Sequence, residues 1–119
     1  MIKEKLVISD TNILLDLIAV DLLETFFSLP CDFCTTDFVI SEIIHPEQIA
    51  AITKFSDNKK LEIISFDFDE LIKINEIYEN NDNNASITDS SVWYYAKKTG
   101  GRLLTGDGKL RKSAEADNV

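Results

Sequence analysis

The sequence predicts an α/β fold, a three-layer sandwich around a central, mostly parallel four-stranded sheet. Three observations carry that expectation. Short apolar runs at Leu6-Val7-Ile8, Phe33-Cys34-Thr35-Thr36, Leu61-Glu62-Ile63-Ile64-Ser65-Phe66 and Arg102-Leu103-Leu104-Thr105 read as strands. Segments with apolar residues at helical spacing alternate with them, and such alternation calls for parallel strands with right-handed crossovers and helices on both faces. A chain of 119 residues holds one such domain, residues 1–119, and not two.

The first strand is a continuous apolar run covered on both faces, and it breaks abruptly at Asp10-Thr11-Asn12. Ile13, Leu14, Leu17 and Ile18, then Leu22, Leu23, Phe26 and Phe27, mark two short helices that Pro30 ends. Asp37 opens a helix carrying Phe38, Ile40, Glu42 and Ile43, which His45-Pro46 interrupts; Pro46 itself suits the first position of a further helix reaching about Phe55. The polar loop 56–60 precedes the third strand, whose β-branched content supports it. Phe68, Leu71, Ile72, Asn75 and Tyr78 place one apolar stripe on the next helix, and Asn80-Asn81-Asp82-Asn83-Asn84 closes it as an exposed loop. A helix from Ser86 to Lys98 stops at Gly100-Gly101, and after the fourth strand Gly106-Asp107-Gly108 turns into a last helix, Lys109 to Ala114.

With 45% hydrophobic and 28% charged residues, the composition is that of an ordinary globular domain. Asp16 and Asp21 interrupt the longest apolar stretch, and Met1 to Lys5 lack the apolar core of a signal peptide, so a cytoplasmic protein is expected. The net charge of −9 argues against broad attraction to nucleic-acid phosphates. Binding would require metal ions to offset part of the acidity and the basic residues to act locally. Lys97, Lys98, Arg102, Lys109, Arg111 and Lys112 do gather late in the chain. Cys31 and Cys34 have redox spacing but lead into a strand, which favours structural thiols over a reactive pair or a zinc site.

In a parallel sheet, Asp10 and Asp107 both follow strand ends and so share the carboxyl edge, where open α/β sheets bind ligands. Helix N-termini gather at the same edge, bringing Asp89 in a first turn, while Glu42 sits about 7 Å into its helix at ~1.5 Å per residue. Four acids therefore converge there. Such a concentration of negative charge is unfavourable unless protons or a cation relieve it. Oxygen-only donors select Mg²⁺ or Mn²⁺ over zinc, and such ions support in-line phosphodiester hydrolysis. Asn12, Ser86 and Thr105 are candidate donors that fix the carboxylates, and Lys109, Arg111 and Lys112 are candidate phosphate contacts.

Structural alternatives stand beside each acid. Asp10 suits an N-cap, Ser86-x-x-Asp89 is a capping-box pattern, and Asp107 lies between turn glycines. Glu42, placed in a helix body beside Phe38, Val39 and Ile43, is the hardest to explain structurally. His45 reads as a helix-end residue, and Trp93, Tyr94 and Tyr95 read as core or partly buried.

Asp10-Thr11-Asn12 after the first strand, Glu42 in Thr36-Asp37-Phe38-Val39-Ile40-Ser41-Glu42, Asp89 in Ser86-Ile87-Thr88-Asp89, and Leu103-Leu104-Thr105-Gly106-Asp107 resemble the PIN-domain ribonucleases over essentially the whole chain. The resemblance implies a metal-dependent endoribonuclease whose acidic site is Asp10, Glu42, Asp89 and Asp107. It further implies a VapC-like toxin neutralised by a small antitoxin, and a homodimer. The family usually continues past the helix of Asp107 into a fifth strand and a final helix, and with the sequence ending at Val119 these are expected to be absent. Strand four is then expected at a sheet edge, where Leu103 and Leu104 invite pairing. Other readings are a stand-alone RNA-processing nuclease, a non-catalytic metal- or protein-binding module, and a phosphoryl-transfer domain with Asp10 as nucleophile. The last fits less well, because Asn12 stands where the common phosphatase pattern has an acid.

Overall fold

The structure, a computed structural model, describes residues 4–8, 10–80, 85–106, 112 and 115. Strands β1 (Glu4–Ile8), β2 (Cys31–Thr36), β3 (Leu61–Ile64) and β4 (Arg102–Leu104) form one sheet in the order β3-β2-β1-β4. All three pairings are parallel, so every strand ends at the same edge. The expected α/β sandwich is therefore the fold, with β4 at the outside of the sheet beside β1.

The central register sets Val7 opposite Cys34 on one side and Leu103 on the other. Because side chains alternate along a strand, Val7, Cys34 and Thr36 share one face while Ile8, Phe33 and Thr35 share the other. Helices α1 (Thr11–Ala19), α2 (Leu23–Phe27) and α4 (Pro46–Asp57) cover the Phe33 face. There Phe33 meets Phe26 at 4.8 Å and Phe27 at 5.2 Å between ring centroids, and Phe27 meets Phe55 at 4.9 Å. Helix α6 (Ile87–Thr99) covers the opposite face, where Val92, Tyr95 and Ala96 are buried. Each fully buried aliphatic side chain such as Ile8, Leu14, Val39 or Ile52 contributes roughly 1.5–3 kcal/mol by leaving water.

The helix ends follow local chemistry. Pro46 occupies the first turn of α4, and His45 before it is extended (ψ 126°), as a residue preceding proline prefers. Helix α6 begins at Ser86 with a reciprocal capping box and ends at Gly100, whose φ of 71° is the left-handed conformation glycine adopts without strain. Ser90 and Ser91, both buried in α6, spend their hydroxyls on the carbonyls of Ser86 (2.9 Å) and Thr88 (2.6 Å), so the burial carries no orphaned polar group.

Several expectations need correction. Helix α3 (Asp37–Ser41) is a single turn, and Glu42 is its C-cap, exposed rather than embedded in a helix body. The turn stops early because Ile43 enters the core and Pro46 keeps His45 extended. Strand β3 ends at Ile64, not Phe66; Asp67 and Glu70 then exchange backbone-to-carboxylate bonds of 2.8 and 3.2 Å that start α5 (Phe68–Asn80). The stripe expected to bury α5 is its outward face, with Phe68 75%, Leu71 40% and Ile72 45% exposed. Helix α6 already occupies the sheet, so α5 packs chiefly on α6 and buries Ile74 instead. Lys98 donates to Glu70 at 2.8 Å across that contact and, with the Asp67 backbone amide, holds the Glu70 carboxyl below its usual range.

The cysteines behave as structural thiols. Cys31 and Cys34 both lie within β2, three positions apart and therefore on opposite faces, so they cannot close a disulfide with each other. Burial pushes the Cys34 thiol up to about 11. Of the expected loop at 80–84, Asn80 is instead the last residue of α5, and 81–84, like most of the last helix, lie outside the described residues.

Candidate active site

The carboxyl edge is reached first by Asp10, two residues past β1. Its extended backbone (φ −125°, ψ 126°) and its Oδ1, which accepts the Asn12 amide at 2.8 Å, make it the N-cap of α1. The capping role foreseen for Asp10 is thus real, and it engages one oxygen. The contact from Asn12 comes through the main chain; its side chain is exposed.

Glu42 arrives from β2 and α3. Thr36, the last residue of β2, caps α3 by accepting the Val39 amide at 3.3 Å. After one turn the chain presents Glu42, and Thr11 Oγ1 donates to its Oε2 at 3.0 Å. A bond between residues 31 apart thus places Glu42 beside the turn that carries Asp10. Thr11 was not singled out from sequence, although a hydroxyl directly after a strand-end acid is the signal that would have found it.

Asp89 lies in the first turn of α6. Its Oδ2 accepts the Ser86 amide at 3.2 Å while Ser86 Oγ accepts the Asp89 amide at 3.0 Å. Ser86 therefore does hold the Asp89 carboxylate, through its backbone N–H. Two residues on, Ser91 ties α6 to α3: Thr36 Oγ1 and Ser91 Oγ are 2.8 Å apart and fully buried. Ser91 spends its single proton on Thr88 O, so Thr36 is the donor of the pair. A directed chain results, from the Val39 amide through Thr36 and Ser91 to the Thr88 carbonyl. It fixes the start of α3, which ends in Glu42, against the helix that bears Asp89.

Glu42 is thus hydrogen-bonded to the residue that follows Asp10, and Asp89 is carried by a helix pinned to the N-cap of α3. Among the described residues, no three His, Cys, Asp or Glu side chains stand close enough to hold one ion. Asp107, Lys109 and Arg111 lie outside the described residues. Thr105 follows β4, half-buried, and Lys112 is exposed. The donor chemistry at Asp10 and Glu42 is carboxylate oxygen, as a hard divalent cation prefers. His45 is an exposed helix-cap residue, while Trp93 and Tyr95 are buried, as expected. No described helix is long and apolar enough to cross a membrane.

No curated protein matches the sequence. A family model, DUF3368, a PIN domain, matches residues 6–119, from β1 to the last residue. With a parallel β3-β2-β1-β4 sheet and Asp10 and Glu42 joined through Thr11 at its carboxyl edge, the chain belongs to the PIN-domain family, whose fold is a nuclease fold.

Proposed function

We propose that this protein is a Mg²⁺- or Mn²⁺-dependent endoribonuclease that hydrolyses RNA phosphodiester bonds, the toxin of a toxin–antitoxin pair. The observation that carries the reading is the Thr11–Glu42 bond, which brings an exposed acid to the strand-end turn of Asp10. Asp10, Glu42, Asp89 and Asp107 would hold the cation, whose binding would draw the first three closer together than they stand. When bound, it would activate water and offset negative charge on the phosphate. Asp10 keeps a fixed rotamer by capping α1, its Oδ1 accepting the Asn12 amide. Glu42 orients the attacking water, and Lys109, Arg111 and Lys112 supply local positive charge to an RNA backbone that the net charge of −9 would otherwise repel.

Two further elements complete the reading: a small antitoxin protein that covers the acidic edge, and a homodimer formed through the outward apolar face of α5. The deciding experiment is cleavage of mixed cellular RNA by the purified chain with Mn²⁺ or Mg²⁺, beside an EDTA control and Asp10→Asn. Cleavage that needs metal and is lost in Asp10→Asn supports the nuclease reading. A folded protein that binds Mn²⁺ yet leaves RNA intact favours the second reading, a non-catalytic module. That reading draws on Asp89, whose carboxylate is already engaged in the capping box of α6.

A further inference from the structure

We propose that Thr11 is the positioning residue of the acidic edge: its hydroxyl holds the Glu42 carboxylate against the turn carrying Asp10 and thereby sets the edge's affinity for a divalent cation. This rests on the reading above, in which Asp10 and Glu42 are cation ligands.

The geometry separates Thr11 from an ordinary helix-start residue. The N-cap role belongs to Asp10, which accepts the Asn12 amide, so the Thr11 hydroxyl is not needed locally. It reaches instead across 31 residues to Glu42 Oε2 at 3.0 Å. Thr11 is 8% exposed, and its β-branched side chain is stiff at χ1, so the hydroxyl has a fixed direction. Glu42 is the opposite case: a long, exposed side chain at the C-terminal end of a one-turn helix. The bond from Thr11 is the single hydrogen bond to that side chain among the described residues. Without it, nothing described would hold the carboxylate near Asp10. One oxygen is engaged by the hydroxyl, and a carboxylate oriented in this way retains the other for a cation.

The test is Mn²⁺ binding to the full chain by isothermal titration calorimetry, with thermal unfolding in EDTA run on the same samples. Thr11→Val keeps shape and volume but removes the donor; Thr11→Ser keeps the donor but removes a buried methyl. A positioning role predicts that Thr11→Val weakens Mn²⁺ binding about tenfold or more, while Thr11→Ser stays near wild type. A purely structural role predicts the reverse ranking, with Thr11→Ser losing thermal stability and neither variant losing Mn²⁺. Thr11→Val on a Glu42→Gln background should cost no further affinity, because the carboxylate it orients has gone. Wild-type Mn²⁺ affinity in Thr11→Val, or full additivity with Glu42→Gln, overturns the inference while leaving the metal reading in place. Absence of Mn²⁺ binding in the wild type, or binding untouched by Asp10→Asn, overturns the metal reading and this inference with it.

Discussion

Thr36→Val breaks the buried hydroxyl chain at its centre and leaves the shape of the site unchanged. Two losses follow. The Val39 amide at 3.3 Å loses its cap, which costs about 1 kcal/mol. Ser91 Oγ, fully buried at 2.8 Å, loses the proton it accepts, which costs about 1 kcal/mol more. Unfolding entropy near ~2.1 cal/mol/K per residue gives about 0.25 kcal/mol/K for a chain of this length, so the combined ~2 kcal/mol lowers Tm by about 8 °C. Thr36→Ser keeps both bonds and loses only a methyl, so it should fall between wild type and Thr36→Val. Ser91→Ala should cost less in the Thr36→Val background than alone, by about 1 kcal/mol of coupling. Thermal and urea unfolding followed by circular dichroism measure the four variants beside wild type. A Tm for Thr36→Val within about 2 °C of wild type, or strict additivity with Ser91→Ala, would refute the directed chain and its role in fixing α3.

Two further outcomes follow from the same structure. With Cys34 buried and its thiol raised to about 11, iodoacetamide at neutral pH should label the folded protein at Cys31 only, the second site appearing on denaturation; mass spectrometry of the native protein labelled at Cys34 would contradict this. If α5 forms the homodimer contact, Phe68→Asp, at a position 75% exposed, should give monomer mass by light scattering without lowering Tm by more than about 2 °C. A dimer that survives the substitution would place the contact elsewhere.

Much of the fold was legible because short apolar runs and helical periodicity point the same way. The four strands came from such runs, and the start of α6 from Ser86-x-x-Asp89, a local pattern that needs no knowledge of tertiary neighbours. Glu42 was placed on the right part of the chain but in the wrong setting. Periodicity cannot show that burial of Ile43 and the extended residue before Pro46 end the helix after one turn. Helix α5 is legible in the sequence, but its facing is not. Apolar residues at 68, 71, 72, 74 and 77 spread around much of the helix, and α6, already on the sheet, decides which of them is covered. For Thr11 the sequence shows a hydroxyl directly after a strand-end acid but not its partner, because that partner is 31 residues away.

The seating of α5 on α6 has a consequence for how the molecule opens. Amide protection in a native protein tracks the smallest cooperative unit whose release frees a given hydrogen bond. Release of α5 would uncover Ile74 and the Glu70–Lys98 contact while leaving the sheet, the aromatic cluster of Phe26, Phe27, Phe33 and Phe55, and the Thr36–Ser91 bond intact. Hydrogen exchange should therefore resolve two tiers: an outer helix that breathes by itself, and an inner body whose slowest amides lie in β1 and β2. The acidic edge belongs to the inner tier.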